Sequence, residues 1–235
     1  MNGVCLQIQQ LISTHGLVRA AELFARSQVF VATPEGEPAL SHLENVHRFT
    51  RAAGLSKSYC AVAWLHDVPA NGTLSSQEVE TGFGIECATL LQAITVAEAC
   101  GDDECRERQL AQLQRCPWAV DLKLADMLAH VACAIDRRHL DRLTRYCADH
   151  ERYAAIFRQG NRTLFAQLQS RMARAEEVLR APPVDTAAPE SSSPEGAEKD
   201  YYRGKNLPSW VREVIAKRGQ SDSNPYLEML RKKAG

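Results

Sequence analysis

Hydrophobic residues recur every three or four positions along most of the first 180 residues, a spacing that places them on one face of an α-helix. Leu17–Gln28 and Leu40–Ala53 show this spacing, and Ser58–Asp67 is apolar almost all round, which predicts a central helix. Further helices are predicted over Ile85–Ala99, Asp103–Arg115, Val120–Ile135, Leu140–Phe157 and Asn161–Leu179. Strand-like alternation is confined to Gln28–Ala32, so we expect an all-α bundle with short loops.

The composition changes sharply after residue 180. The segment 181–200 contains four of the ten prolines, three consecutive serines and five acidic residues against one lysine. Such a segment buries little apolar surface, so we predict a disordered acidic linker. The remaining segment, 201–235, carries eight Lys/Arg against three Asp/Glu. The sequence therefore divides into a helical domain (1–180), a linker (181–200) and a basic tail (201–235).

The tail has a helical pattern that leaves two interpretations open. Leu207–Ile215 has a proline in its first turn, and Trp210 and Val214 form an apolar edge. Pro225–Lys233 has the pattern of a second short helix. Either Trp210 docks on the helical domain or on a copy of the chain, or the tail is a tethered module for an acidic partner or nucleic acid.

The overall composition excludes several classes of protein. The chain has 235 residues, of which 45% are hydrophobic, so it is not disordered as a whole. Its net charge of −1 argues against nucleic-acid binding by bulk charge. The longest apolar run, Tyr59–Leu65, is far shorter than the roughly 20 residues of a membrane span, and residues 1–10 lack a secretory signal pattern. We therefore expect a cytoplasmic protein.

The eight cysteines do not indicate a zinc or disulfide framework. None of them forms a C-x-x-C pair, which is the spacing that such frameworks commonly use. Several lie within apolar helical stretches, where cysteine behaves as a small hydrophobic residue. We expect free, buried thiols.

Polar residues interrupt the apolar helices at three places. His42 lies on the apolar stripe of its predicted helix and therefore points inward. His66 and Asp67 end the predicted central helix, directly after apolar residues. Asp126 has apolar neighbours on both sides within Leu122–His130. An ionised carboxylate in such surroundings is unfavourable unless a cation or hydrogen-bond donors meet it.

These polar residues have two interpretations. Two histidines and two carboxylates on three helices could hold one divalent ion, and this mixture of ligands suits manganese, iron or zinc. Alternatively, His42 is a hydrogen-bonded core histidine. Asp126 would then belong to a polar stripe with Lys123 and His130, which stand three residues before it and four residues after it. The order and spacing of the three places together favour the metal.

Four motifs carry a resemblance to a known superfamily. They are Gly36–His42, Trp64–Val68, Phe83–Glu86 and Lys123–Asp126. In order and spacing they resemble the HD-domain metal-dependent phosphohydrolases. Within that superfamily they look most like the RelA/SpoT-type hydrolases, which remove pyrophosphate from guanosine tetra- or pentaphosphate. The resemblance extends from about Leu23 to Leu168 and implies an HD-domain helical bundle.

The resemblance also implies a site. By carry-over, His42, His66, Asp67 and Asp126 would bind a divalent metal ion, for which we expect manganese. The substrate would be a nucleotide or another small molecule with a phosphate or pyrophosphate ester.

The sequence departs from this family where the family acts on its substrate. The family's Glu-Asp pair, which activates or positions water, is Ala70-Asn71 here. The arginine expected shortly after Gln28 is missing, and the tyrosine of the first motif is Ala39. The asparagine that contacts the substrate is His130. The metal ligands are therefore kept, whereas the acid–base and guanosine contacts are altered.

Two functions are compatible with kept metal ligands and altered substrate contacts. The first is an enzyme in which His130 acts as a substitute acid or base and Lys123 orients phosphate. Since a general base contributes about 10²–10⁴-fold, slow hydrolysis could persist without the Glu-Asp pair. For His130 the alternative is a solvated helix residue, and for Lys123 it is an ion pair with Asp126. The second function is a non-catalytic HD-domain protein that binds a nucleotide or a protein partner.

Overall fold

The computed structural model describes residues 3–28, 39–68, 74–95 and 102–181, and these residues form α-helices and turns without a β-strand. The expected all-α fold is therefore confirmed. The helices are α1 (Gly3–His15), α2 (Leu17–Gln28), α3 (Ala39–Ala52), α4 (Lys57–Leu65), α5 (Ser76–Phe83), α6 (Ile85–Ile94), α7 (Asp102–Arg115), α8 (Val120–Asp136), α9 (Leu140–Phe157) and α10 (Arg162–Arg180). One turn of 3₁₀ helix, Pro117–Ala119, leads into α8.

Helices α4 and α8 form the centre of this domain. α4 packs against α2, α3 and α6, while α8 packs against α3, α9 and α10. The residues from Cys60 to Leu65 are all buried, as the apolar composition of this segment predicts. Leu124 and Leu128 of α8 are fully buried, and each such leucine stabilises the fold by roughly 1.5–3 kcal/mol. α3 contacts both central helices, so polar residues on its inner face can meet those of α4 and α8.

The end of α4 differs from the sequence prediction in a way that affects the site. The prediction extended this helix to Asp67, but α4 ends at Leu65 and a turn follows, in which the Val68 N–H donates to the Leu65 carbonyl at 3.0 Å. Pro69 gives the physical reason, because proline disfavours helical conformation in the residue before it and cannot donate a helical hydrogen bond. His66 and Asp67 therefore lie on a turn and not within the helix.

Two helices, α1 and α5, were not delineated from the sequence. α1 has a recognisable pattern, since Cys5, Ile8 and Leu11 recur at three-residue steps and are buried. α5 begins with a capping box, in which Ser75 and Glu78 bond reciprocally to each other's backbone N–H groups. Both signals are present in the sequence and would have identified these helices.

Several sequence predictions lie outside the described residues. These are the division into domain, linker and tail after residue 180, the strand-like residues after Gln28, and the Ala70-Asn71 pair. Gln28 itself is the last residue of α2. The domain division stays a prediction.

No helix in the described ranges combines the length and the apolar character that a bilayer span requires.

Candidate metal centre

Three polar residues from different elements meet in the interior between α3, α4 and α8. His42 lies in the first turns of α3, His66 directly follows α4, and Asp126 lies in the middle of α8. His42 is 1% exposed and Asp126 is 8% exposed, so both are withdrawn from solvent. The burial of His42 agrees with its predicted place on an apolar stripe, and the burial of Asp126 agrees with its apolar neighbours.

The atoms of the three residues are spaced like ligands of one ion. His42 Nε2 lies 3.2 Å from His66 Nε2 and 3.1 Å from Asp126 Oδ1, and His66 Nε2 lies 3.7 Å from Asp126 Oδ1. Two ligands bound at about 2.1 Å are about 3.0 Å apart when their bonds meet at a right angle, and about 3.4 Å apart at a tetrahedral angle. The observed spacing therefore fits a divalent cation of ordinary size.

Asp67 lies at the solvent side of this cluster. Its Oδ1 is 3.4 Å from His66 Nε2, and its side chain is 43% exposed. His42, His66 and Asp67 each offer a ligand atom within 4.8 Å of the others, and so do His42, Asp126 and His130. The four residues predicted as ligands are thus brought together, with His130 beside them.

The tautomer of His66 suits metal binding. Its Nδ1 lies 3.0 Å from the carbonyl oxygen of Ala63, and because a carbonyl only accepts, Nδ1 must carry the proton. Nε2 then presents a lone pair towards His42 and Asp126. A lone pair that faces a carboxylate is unfavourable without a cation or a shared proton, so the ligand chemistry fits a bound metal. A backbone carbonyl on the second ring nitrogen is also the usual arrangement for a metal-binding histidine.

Lys123 forms an ion pair with the second carboxylate oxygen of Asp126. Its Nζ lies 2.7 Å from Oδ2. Burial by itself would raise the pKa of the Asp126 carboxyl, but the charges of Lys123 and His130 outweigh burial and hold that pKa well below its usual range. Burial alone would lower the pKa of Lys123, whereas Asp126 raises it above the usual value. Both groups are therefore charged, in the ion pair that the sequence left open as one interpretation of Lys123.

His130 contacts the first carboxylate oxygen of Asp126, whereas Lys123 contacts the second. Its Nε2 lies 3.2 Å from Asp126 Oδ1. Its ring stacks against His42, with centroids 4.1 Å apart, and against Tyr146 of α9, with centroids 5.7 Å apart. Lys123, Asp126 and His130 therefore form the polar stripe on α8 that the sequence suggested. The stripe and the candidate metal cluster share Asp126, so the two interpretations of this residue do not exclude each other.

Tyr146 was not among the residues predicted from the sequence. This residue is buried on α9 and stacks on the ring of His130 at an interplanar angle of 27°. It stands three residues after the buried Leu143, so helical spacing would have placed it on the inner face of α9. The spacing could not have shown which ring it contacts.

A shallow surface cleft of about 320 Å³ lies away from the polar cluster. Its lining includes Tyr59 in the first turn of α4, together with Ile85, Glu86 and Trp118. His66 follows the last turn of α4, so roughly 10 Å of helix separates the cleft from the cluster. The residues that line this cleft therefore include none of the cluster.

Comparisons with known proteins agree with this fold. No protein-family model matches the chain, and no curated protein sequence matches it. Among solved structures, the chain is similar to a metazoan ortholog of SpoT that hydrolyzes ppGpp and plays a role in starvation responses, with a TM-score of 0.55 and 19% sequence identity. The similarity covers 76% of this chain and 98% of that chain. The chain therefore has the HD-domain helical fold that its motifs suggested.

Proposed function

We propose that this protein is a metal-dependent phosphohydrolase that acts on a nucleotide or on another phosphate or pyrophosphate ester. In this proposal His42, His66, Asp67 and Asp126 hold one divalent ion, and manganese is the ion that the sequence resemblance favours. The observation that carries the proposal is the spacing of 3.1–3.7 Å between two imidazole nitrogens and a carboxylate oxygen, inside an HD-domain fold. The ppGpp hydrolysis of the structural neighbour makes guanosine polyphosphates one substrate to test.

In this proposal some residues bind the ion, and others lie where a substrate would bind. When bound, a divalent ion supplies Lewis acidity at a phosphoryl oxygen and makes a bound water more acidic. His42 and Asp126 are buried and hold the inner side of the centre, while the half-exposed Asp67 leaves the outer side open to a substrate. His130 remains the proposed substitute acid or base, because it lies beside Asp126 and no Glu-Asp pair follows Asp67.

A second function has support from one feature of the sequence. Ala70 and Asn71 stand where the hydrolases that the chain resembles carry their Glu-Asp pair, and alanine has no group that could activate water. This substitution favours an HD-domain protein that retains the metal and binds a nucleotide, or a protein partner, without hydrolysing it.

Phosphate and pyrophosphate release from a panel of nucleotides tests the enzyme directly. The panel is incubated with manganese and, separately, with a chelator, using the parent protein and Asp67→Ala. We expect manganese-dependent release by the parent and a large loss in Asp67→Ala. If the parent binds a nucleotide in equilibrium dialysis but releases nothing, the binding function is favoured. If it neither binds nor hydrolyses any nucleotide, the nucleotide is wrong in both proposals, and only another phosphate ester or a protein partner is left.

A further inference from the structure

We propose that Lys123 is a positioning residue that restricts Asp126 to one metal-binding oxygen, Oδ1, and thereby sets which ions the centre selects. This inference rests on the proposed function, because it requires that His42, His66 and Asp126 hold an ion. It also departs from the sequence prediction for Lys123, since it assigns this residue to the choice of metal and not to the phosphate of a substrate.

The Oδ2 atom of Asp126 is occupied by the ammonium group of Lys123. The distance of 2.7 Å is that of a strong charge-assisted hydrogen bond. The two residues are three positions apart on α8, so their side chains leave the same face of the helix. Their side chains are only 18% and 12% exposed, so water competes weakly for either charge. Turning Oδ2 towards an ion would break a largely buried ion pair, which is unfavourable.

The Oδ1 atom is restricted by His130. The rings of His42 and His130 are nearly parallel, with 25° between their planes, so their nitrogen lone pairs run side by side and do not converge on one point. The rings of His42 and His66 are inclined by 60°, and their Nε2 atoms are 3.2 Å apart, as expected for ligands of one ion. We therefore assign His130 Nε2, at 3.2 Å from Oδ1, as a hydrogen-bond donor to that oxygen. Asp126 would then offer one lone pair of Oδ1 to a bound ion.

A carboxylate that offers one oxygen beside two imidazoles discriminates between ions. Zinc binds about four ligands and accepts histidine nitrogen together with a single carboxylate oxygen. Calcium takes about six to eight oxygen ligands and often binds a carboxylate through both oxygens. The Lys123–Asp126 ion pair therefore disfavours calcium. If the ammonium group were removed, Oδ2 would be free to bind, and the preference for zinc over calcium should fall.

Competition titrations with a fluorescent chelator test this inference on the full chain after its metal has been removed. The dissociation constants for Zn²⁺ and Ca²⁺ are measured at one pH for the parent, for Lys123→Met and for Lys123→Arg. Methionine keeps an unbranched side chain without the charge, while arginine keeps the charge. Arg26→Met is the matched control, because the Arg26 side chain is 23% exposed and pairs with Glu22 and Glu44, neither of which is a proposed ligand.

We expect Lys123→Met to lower the ratio of the calcium to the zinc dissociation constant by about tenfold or more, since outer-shell changes alter the affinity for a single metal by about 10–100-fold. Lys123→Arg and Arg26→Met should keep the ratio near that of the parent. The visible absorption of bound Co²⁺ should weaken in Lys123→Met, because binding through both oxygens raises the coordination number. If Lys123→Met does not fold, Lys123→Gln replaces it in the same comparison.

The possible failures are distinguishable. An unchanged ratio in a folded Lys123→Met that still binds zinc would overturn the inference and leave the metal centre intact. If the parent binds neither zinc nor manganese, the metal centre of the proposed function is itself wrong. If Lys123→Met keeps the ratio but loses affinity for inorganic phosphate at saturating metal, Lys123 contacts phosphate, and the selectivity role is wrong.

Discussion

His66 Nδ1 lies 3.0 Å from the carbonyl oxygen of Ala63, which belongs to the last turn of α4. This hydrogen bond to the backbone fixes the proton of His66 on Nδ1. The Nε2 lone pair is therefore directed towards His42 and Asp126. A similar bond occurs nearby, where His47 Nδ1 lies 3.3 Å from the Cys60 carbonyl oxygen. His47 packs beside Trp64 and not among the proposed ligands, so its bond is structural.

The first prediction uses this pair of histidines. Asn can place its amide nitrogen near the position of Nδ1 but has no atom at the position of Nε2. His66→Asn should therefore keep the bond to Ala63 and lose a metal ligand. We expect its affinity for zinc or manganese to fall by more than the roughly 10–100-fold that outer-shell changes cause. Isothermal titration calorimetry on the metal-free protein measures this affinity, and circular dichroism measures the retained helical content.

His47→Asn is the matched control for this prediction. It makes the same substitution at a histidine that also bonds to a backbone carbonyl, but His47 contributes nothing to the proposed centre. Its metal affinity should equal that of the parent. If both variants bind metal as the parent does, His66 is not a ligand.

The second prediction concerns the free energy of unfolding. Removing one member of a largely buried ion pair leaves the other charge uncompensated, which typically costs about 3–5 kcal/mol. We expect Asp126→Asn to lower the free energy of unfolding by about 3 kcal/mol in the presence of a chelator, because Lys123 then lacks its carboxylate at 2.7 Å. Urea denaturation followed by circular dichroism measures the change.

The double variant Asp126→Asn/Lys123→Met separates the ion pair from other contacts. With both charges removed, no uncompensated group remains, so the double variant should be less destabilised than the sum of the two single variants by about 1 kcal/mol or more. Additive effects would mean that the two side chains do not interact in solution.

The sequence could predict which side of each helix faces the interior. It could not predict which residues of two neighbouring helices come into contact. The periodicity of α3 placed His42 inward, and the spacing on α8 placed Lys123 and His130 beside Asp126. Helical periodicity fixes the direction of a side chain around its own axis. It does not fix how far one helix slides or rotates against another, and it therefore could not give the stacking of His130 on Tyr146.

The end of α4 was predicted incorrectly from the sequence. Apolar residues continue up to Leu65, so the pattern predicted a helix that includes His66 and Asp67. The helix instead ends at Leu65. Pro69 cannot donate a helical hydrogen bond, and it disfavours the helical conformation in the residue before it. The ligand set suggested by the family resemblance stays a prediction, and the 3.1–3.7 Å spacing among His42, His66 and Asp126 supports it.

The third prediction concerns pH and a site away from the cluster. Glu22 accepts from Arg19 at 2.6 Å and from Arg26 at 3.0 Å. Burial would raise the pKa of Glu22, but the two arginines outweigh burial and lower that pKa below the ordinary 4.5. A lowered pKa in the folded state means that the carboxylate contributes stability above the pKa of the unfolded chain. This contribution is lost as the pH falls through the folded-state value.

We therefore expect Glu22→Gln to lower the free energy of unfolding by up to about 1 kcal/mol at neutral pH, and to have a smaller effect in acid. Urea denaturation at pH 7 and again at a pH well below the ordinary Glu pKa of 4.5 measures both effects. Glu80→Gln on α5 changes the same charge without removing any ion pair that the structure describes, and it serves as the control. An effect of Glu22→Gln that is equally large in acid would show that packing and not charge is responsible.

The fourth prediction is that guanosine tetraphosphate is a poor substrate, even if the metal binds well. Water must still be oriented and deprotonated, and Ala70 and Asn71 can contribute little, since alanine has no polar group and asparagine has no useful pKa near neutrality. The missing arginine after Gln28 also removes an expected contact with the guanosine end, which weakens the positioning of the substrate. Loss of one general base alone should lower turnover by about 10²-fold or more relative to a hydrolase with the full set.

The double substitution Ala70→Glu/Asn71→Asp tests this explanation by introducing the acidic pair. Turnover of guanosine tetraphosphate with manganese should rise, while the same pair introduced together with Asp67→Ala should remain inactive, because a water-activating group has no effect without the proposed metal. Fast hydrolysis by the parent protein would contradict the prediction and would point to His130 as a substitute base. If the acidic pair does not raise the turnover of guanosine tetraphosphate while manganese still binds, the protein acts on a different substrate or binds its ligand without hydrolysing it.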